Sequence, residues 1–364
     1  AAVVCGPAAW HHGWQRDDWD QLAGGVVAGH VIECGAQTTG GNYSFFTEVP
    51  GMERIGFPYA DVAADGSFVV GKHAGTGGEL SIGTVTSQLL YEIGGPQYFG
   101  PDVTSRFDTI QLSEEGPDRI RVHGVKGEPP PPNLKVAMNE IGGYRNDVAI
   151  MMTGLDIEAK AQLLDDAFWV ACPYEPSDYA SVKRKIIRTD HLDPDSNDTA
   201  GAMWKITVKD ADERKVGRAF SNALTEIGLA SIPGLYGVGS GPSAGSPYGV
   251  YRPALVPAEL VPGYVHIGGE TTVVESVAPA DEVGVEAATG PETAIPSGPT
   301  VARPIGAIIG TRSGDKGGNA NLGVFVRSDP GWAWIDSFLT IEKLKELLPE
   351  ARDLVVDRHR FPAI

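Results

Sequence analysis

Thr311-Arg312-Ser313-Gly314-Asp315-Lys316-Gly317-Gly318-Asn319-Ala320-Asn321-Leu322-Gly323-Val324 follows the apolar run Ile305-Gly306-Ala307-Ile308-Ile309 and leads into Val324-Phe325-Val326. Read in order, this is a strand near Ile305–Gly310, a polar loop, and a strand near Leu322–Arg327. Glycine lets the backbone take positive φ and bring its N–H groups close to a ligand. Arg312 offers a planar fork, and Lys316 a point charge, to a carboxylate or a phosphate. A plainer reading stands beside this one: a tight turn in which Asp315 and Asn319 bond their own backbone. A helix expected around Ile341–Leu348 and a further strand at Asp353–Asp357 complete a β-β-α-β order, which suits a small α+β sandwich.

Working outward, Ser276–Pro304 is rich in Pro, Ala, Gly and Glu and holds no aromatic residue. Such a stretch cannot bury enough apolar area to offset its ordering entropy, so it reads as a flexible linker. The chain therefore divides into a large mixed α/β domain over 1–275, a linker over 276–304, and a small α+β domain over 305–364. In the large part, apolar residues from Trp19 to His30 recur at helical spacing, although Gly24, Gly25 and Gly29 weaken a helix unless they serve close packing. Phe68–Val70 reads as a strand, and Ile82–Ile93 as a helix. Thr109–Leu112 and Arg119–Val125 alternate like strands on either side of the turn signal Glu115-Gly116-Pro117-Asp118. Further on come a strand at Leu134–Met138, a helix at Ile157–Val170, a strand at Trp204–Val208, and a helix at Asp212–Ile227 ended by Gly228. Gly234–Gly249 is a long glycine-rich loop, either a binding loop or a surface excursion.

The chain has 364 residues, 42% of them hydrophobic and 21% charged, with a formal net charge of −18. These are the proportions of a globular protein with room for two cores. Strong acidity without a basic tract speaks against nucleic acid as a partner. No apolar run is long enough to span a bilayer, so no membrane partner is expected. Cys5, Cys34 and Cys172 are scattered and odd in number, which fits a reducing cytoplasm and argues against a disulfide framework or a zinc site. The chain opens at Ala1 and stops at Ile364 inside apolar stretches, and both ends read as cuts through structure.

Two further clusters carry chemistry. In His30-Val31-Ile32-Glu33-Cys34-Gly35-Ala36-Gln37-Thr38-Thr39-Gly40-Gly41-Asn42-Tyr43, Glu33 suits a general base and Cys34 a nucleophile if a neighbour lowers its pKa. Gln37 and Asn42 would line the same wall. Cys34 equally fits a packed, inert thiol. After the Phe68–Val70 strand, Gly71-Lys72-His73-Ala74-Gly75-Thr76-Gly77-Gly78-Glu79 runs into a helix, an arrangement that offers N–H groups to an anion or thioester carbonyl. It matches neither the Walker nor the dinucleotide pattern. Lys72, His73 and Thr76 are its candidates for charge, proton carrier and ligand contact, against a plain glycine turn. Tyr144-Arg145, after Gly142-Gly143 and near Lys135, is a lesser basic spot. His11 and His12 beside Trp10 and Trp14 read as packing at an aromatic edge.

These motifs together resemble the acyclic terpene utilisation AtuA family. The resemblance is carried by His30–Gln37 with Thr39–Asn42, Gly56-Phe57-Pro58, Gly75–Gly78, Leu89-Leu90-Tyr91-Glu92, Pro101-Asp102-Val103 and Arg312–Gly317. It implies a large α/β domain followed by a small ferredoxin-like domain. It also implies segments before Ala1 and after Ile364 that are missing here. Its metabolic setting is the breakdown of citronellol- and geraniol-type terpenes through CoA thioesters.

The expected function is a cytoplasmic catabolic enzyme acting on a branched or terpenoid acyl-CoA or related carboxylic acid, of lyase or hydratase type, since no dinucleotide fingerprint is present. Glu33, Cys34 and His73 are its candidate catalytic residues. Gln37, Asn42, Lys72, Thr76, Arg312, Asp315, Lys316 and Asn319 are its candidate substrate contacts. No cofactor is expected beyond CoA as part of the substrate. A homo-oligomer and a pathway partner enzyme are the expected associations. The alternative is a non-catalytic accessory subunit of an acyl-CoA-processing, carboxylase-linked pathway.

Overall fold

Ten of the fourteen residues of one helix, Trp19–Ile32, are buried, with two other helices and three strands of the same unit packed against it. A computed structural model describes residues 2–229, 232–239, 241–275, 295, 297–299, 301–316 and 318–364. The linker expected over 276–304 lies largely outside the described residues. The chain divides into two compact units, Ala1–Val136 with Pro253–Ile364, and Ala137–Arg252.

The first unit begins with α1 (Ala2–His12), α2 (Trp19–Ile32), β1 (Pro58–Val62), β2 (Phe68–Lys72) and α3 (Ile82–Leu89). There follow β3 (Gln97–Phe99), β4 (Thr104–Arg106), β5 (Gln111–Gly116), β6 (Arg119–His123) and β7 (Lys126–Glu128). One sheet has the order β1-β2-β6-β5 and a second the order β3-β4-β7, with every pair antiparallel. α2 touches α1, α3, β1, β4 and β7, so it is a central helix and not an amphipathic surface one. Its glycines permit this. A Cβ on Gly24 would stand 2.0 Å from the Gly66 carbonyl oxygen, and one on Gly25 would stand 3.1 Å from the Cys5 Cα. Phe68, Val70, Ile120 and Val122 point from the first sheet into the same core, with Arg119 and Arg121 alternating outward. His12 stacks on Trp14 with centroids 5.4 Å apart, and its Nε2 lies 3.0 Å from the Val62 carbonyl oxygen, as expected of a packing residue.

α3 is shorter than the sequence indicates. A Ser81–Thr84 capping box starts it, but it ends at Leu89, and Glu92 takes φ +55°. That left-handed residue turns the chain, so Tyr91 and Glu92 lie on a turn and not on a fourth helical face.

The second unit holds the greater part of β8 (Asn133–Thr153), then α4 (Ile157–Ala171), β9 (Ser181–Arg188), β10 (Gly201–Asp210), α5 (Glu213–Val216), α6 (Arg218–Ile227), β11 (Leu235–Gly237) and most of β12 (Ser246–Pro257). The order β11-β8-β10-β9, all antiparallel, is fourth-first-third-second. With α4 and α6 between the strands, this is the β-α-β-β-α-β arrangement of a ferredoxin-like unit. Alternate residues of β10 and β8 build its core: Ala202, Trp204, Ile206 and Val208 beside Met152, Ile150 and Val148. Leu164 and Phe168 of α4 and Phe220 and Ala223 of α6 cover that face.

Two expectations for this unit are corrected. The strand expected at Leu134–Met138 continues to Thr153, so Tyr144 and Arg145 belong to a strand and not to a basic loop. Gly142 and Gly143 permit this: Gly142 lies under the Tyr248 and Val250 side chains, and Gly143 takes φ +123°. The helix expected over Asp212–Ile227 is broken at Gly217 into α5 and α6.

The first unit resumes with β13 (Gly263–Ile267), β14 (Glu270–Val274), β15 (Ile309–Lys316), β16 (Asn319–Val326), α7 (Asp329–Phe338) and α8 (Ile341–Leu347). The polar stretch read as a loop is itself the hairpin β15–β16, paired from Ile309↔Val326 to Lys316↔Asn319. Ile305–Ala307 is a turn of 3₁₀ helix and not the start of the strand. Asp353–Asp357 forms no strand. Among the described strands β15 and β16 pair only with each other, and a strand with no ladder partner leaves its backbone groups unsatisfied. Among the described residues no helix is long and apolar enough to cross a membrane.

Candidate functional site

Where α2 ends, Glu33 and Cys34 lead into a 3₁₀ turn, Gly35–Gln37. The buried residues Thr38 and Thr39 anchor this turn to its surroundings. Thr38 Oγ1 donates to the Val31 carbonyl, and Thr39 Oγ1 donates to the carbonyls of Ala36 at 2.9 Å and Gly56 at 2.5 Å. One turn further back on α2, His30 is fully buried. Its Nε2 lies 3.1 Å from the Gln88 carbonyl oxygen, and the Gln88 Nε2 donates to the His30 carbonyl at 3.0 Å. Its Nδ1 stands 3.8 Å from a Glu33 carboxylate oxygen.

The hairpin supplies the cation. Strand alternation puts Arg312 and Gly314 of β15 on one face with their cross-strand partners Gly323 and Asn321 of β16. That face meets the turn after α3. The Arg312 guanidinium lies 3.7 Å from the centroid of the Tyr91 ring. Its Nη2 donates to the Gln37 Oε1, and its Nη1 to the Ser313 carbonyl at 2.9 Å. None of these three partners carries a formal charge, so the guanidinium keeps an attraction for an anion.

Burial, together with the nearby Glu33 and Glu92 carboxylates, pushes the Cys34 thiol up, opposed by Gln88 and Arg312. The side chain of Cys34 is therefore a protonated thiol at neutral pH. This removes the physical basis for reading it as an activated nucleophile. Tyr91 is raised as well, chiefly because its hydroxyl is hydrogen-bonded to Glu92, with burial adding to the effect. We expect Cys34 alkylation in the native protein to reach half its limiting rate at higher pH than in the urea-unfolded chain. Titrating iodoacetamide reactivity against pH measures this, and coincident profiles would refute it.

Glu33, Cys34, Gln37 and Arg312 thus converge, joined by Gln88 and by His30, Tyr91 and Glu92, which the sequence quoted within its motifs without giving them a role. The remaining candidates lie elsewhere. Lys72 donates to the Thr76 carbonyl at 3.0 Å and pairs with Asp118 at 3.2 Å. Lys72 and Thr76 line an open cavity of about 870 Å³ with Arg54, Glu79 and Glu114. Lys72 is an internal tie in the glycine-rich loop. His73 is exposed, with its ring 5.3 Å from that of Tyr59. Asn42 is exposed at φ +64°, a backbone conformation that asparagine tolerates. Asp315 falls on the hairpin face opposite Arg312, and Asn319 is exposed at the tip. The Lys316 side chain lies outside the described residues.

A family model for acyclic terpene utilisation family protein AtuA matches residues 1–267. The chain belongs to the AtuA family. No curated protein and no solved structure gives a significant match. The matched span of this AtuA-family chain contains the whole Ala137–Arg252 unit and the Ala1–Val136 part of the first unit, with the Glu33–Gln37 and Gln88–Glu92 segments. It ends before Arg312, so the cation of the cluster stands on a part of the chain beyond the family match. The signal that could have placed Asn321 on the face of Arg312 is present in the sequence. It is the period-2 alternation through Arg312, Gly314 and Asn321, Gly323, which marks a strand face made for close approach.

Proposed function

We propose that the cluster at the end of α2 binds an acidic small molecule, an acyl-CoA or a related branched or terpenoid carboxylic acid, and acts on it as a lyase or hydratase in a catabolic route. The observation that carries the proposal is the Arg312 guanidinium, whose contacts with Gln37, Ser313 and Tyr91 are all to uncharged groups. Arg312 would hold the carboxylate or a phosphate of CoA. Glu33, at the border between the buried His30 and the surface, would move the proton. Cys34, kept as a thiol, would line the site and donate a weak hydrogen bond. Membership of a family implicated in acyclic terpene utilisation supports the substrate class. The hairpin and α7 supply the β-β-α portion of the ferredoxin-like domain that we propose for the carboxy-terminal segment.

A thermal-shift screen of branched acyl-CoA esters against the matching free acids tests the reading. A ligand held at a hundred times its Kd adds about 2.7 kcal/mol of stability and raises the melting temperature measurably. No stabilisation by any ester or acid would remove the assignment.

A second reading, an accessory subunit, is favoured by one feature. Every residue of β13 and β14 is exposed, including Tyr264 at 59% and Ile267 at 74%. An apolar hairpin of this kind suits a docking role. It predicts association with a pathway enzyme and no turnover by this chain alone.

A further inference from the structure

We propose that Asn321 and Ser44 are positioning residues that lock the β15–β16 hairpin onto the body of the first unit and so set where the Arg312 guanidinium stands beside Gln37, Tyr91 and Cys34. The inference rests on the reading of Arg312 as the anion-holding group.

A hairpin of two strands has little stability of its own in water, so its placement depends on side contacts. The face that meets α3 is built for backbone approach. A Cβ on Gly323 would stand 2.5 Å from the Leu90 Cβ, and one on Gly314 would stand 2.6 Å from Tyr91 Cε2 and from Glu92 Cγ. At that separation the polar backbone groups at the end of α3 lose access to water and need partners from the hairpin. Asn321 serves two of them with one planar amide. Its Oδ1 accepts from the Glu92 N–H at 2.9 Å, and its Nδ2 donates to the Leu90 carbonyl at 2.7 Å. An amide is the side-chain group that offers a strong donor and a strong acceptor side by side in this way. The bond to Glu92 also falls on the residue at φ +55°, so it holds the turn that carries Tyr91 under the guanidinium.

Ser44 does the equivalent for the other strand. Its Oγ accepts from the Thr311 N–H at 2.8 Å and lies 2.9 Å from the Thr311 carbonyl oxygen. Thr311 is the residue before Arg312. One latch therefore acts on β16 and one on β15, both within the segment that carries the cation. Phe325 secures the far end by stacking on Tyr43, with centroids 5.9 Å apart.

The test uses the full chain and needs no substrate. Iodoacetamide alkylation of Cys34 is followed against pH by peptide mass spectrometry. The midpoint reports the charge around the thiol, and the high-pH plateau reports access. The buried Cys5, its thiol pushed up to about 11, stays silent at pH 8. Arg312→Ala is expected to move the Cys34 midpoint to higher pH, because a neighbouring cation is lost. Asn321→Ala and Ser44→Ala are expected to move it in the same direction, each slowing alkylation at pH 8 about two- to threefold. Ser44→Ala added to Arg312→Ala should change nothing further, since Ser44 holds only Thr311, beside Arg312. Ser44 is exposed, so Ser44→Ala carries the test if Asn321→Ala does not fold. Wild-type midpoints in both latch variants would overturn the proposal. So would a Ser44→Ala shift that adds in full to that of Arg312→Ala, or an Arg312→Ala profile identical to wild type. Failure of the functional reading looks different: Arg312→Ala would still shift Cys34 while binding of acids and CoA esters stayed at the wild-type level.

Discussion

Trp204→Ala is expected to destabilise the Ala137–Arg252 unit by about 4 kcal/mol, among the largest effects of any single substitution in this chain. Trp204 is the largest fully buried side chain, placed on β10 under Phe168, whose ring centroid is 5.5 Å away. Its truncation removes the packing between the sheet and α4 and leaves a cavity that close-packed neighbours fill only in part. It also removes the indole N–H that donates to Asp165 Oδ1 at 2.7 Å. Burial pushes the Asp165 carboxyl up, while this hydrogen bond and Arg184 pull it down, so losing the indole leaves a half-buried carboxylate with less support. Trp204→Phe keeps one six-membered ring but loses the bond and the rest of the indole, so it should cost less than the alanine, about 2–3 kcal/mol. Urea unfolding followed by far-UV circular dichroism separates the two. Equal midpoints for both variants would show that packing around the ring contributes little.

Arg312→Ala is expected to weaken binding of an acidic ligand by about 1.5–3 kcal/mol, the range for hydrogen bonds to a charged group, which is roughly ten- to a hundredfold in Kd. Loss of stability should be small, because the guanidinium contacts a ring face, an amide and a carbonyl and is not the sole partner of a buried charge. Arg312→Lys keeps the charge but not the fork or the stacking on Tyr91, so it should recover only part of the affinity. Isothermal titration with the best ligand of the thermal-shift screen measures this. Equal affinity for wild type and Arg312→Ala would detach Arg312 from the site.

Much of the secondary structure was legible because it follows local rules. The helix at Trp19, the strand at Phe68 and the helix at Ile157 follow from periodicity over one or two turns. Ends and interruptions were harder. α3 stops early because Glu92 is held in a left-handed turn by the hairpin's Asn321, more than two hundred residues along the chain. β8 runs through two glycines that local propensity would treat as a break, because Tyr248 and Val250 pack across Gly142 and the Asp210 backbone lies against Gly143. The expected strand at Asp353–Asp357 is a short apolar run between two aspartates that pairs with no strand among the described residues.

The candidate site was legible in part for the same reason. Glu33, Cys34 and Gln37 stand together through their place at the end of one helix, and sequence shows that directly. Lys72, by contrast, looked like a free cation, and its ion pair with Asp118 is a tertiary fact. Cys34 looked like a possible nucleophile until burial and two carboxylates were found around it.

By itself, the order of residues determined that the chain would be a mixed α/β protein with a glycine-bearing helix from Trp19, and that a polar, glycine-rich stretch near its end would carry Arg312. Those properties depend on spacing between near neighbours. Only the tertiary structure decided that the glycines of the hairpin serve close approach to α3, that the β-α-β-β-α-β unit lies between Ala137 and Arg252, and that Arg312 meets Gln37 and Tyr91. The reason is physical: pairing, burial and charge proximity depend on which distant segments are brought within a few ångströms.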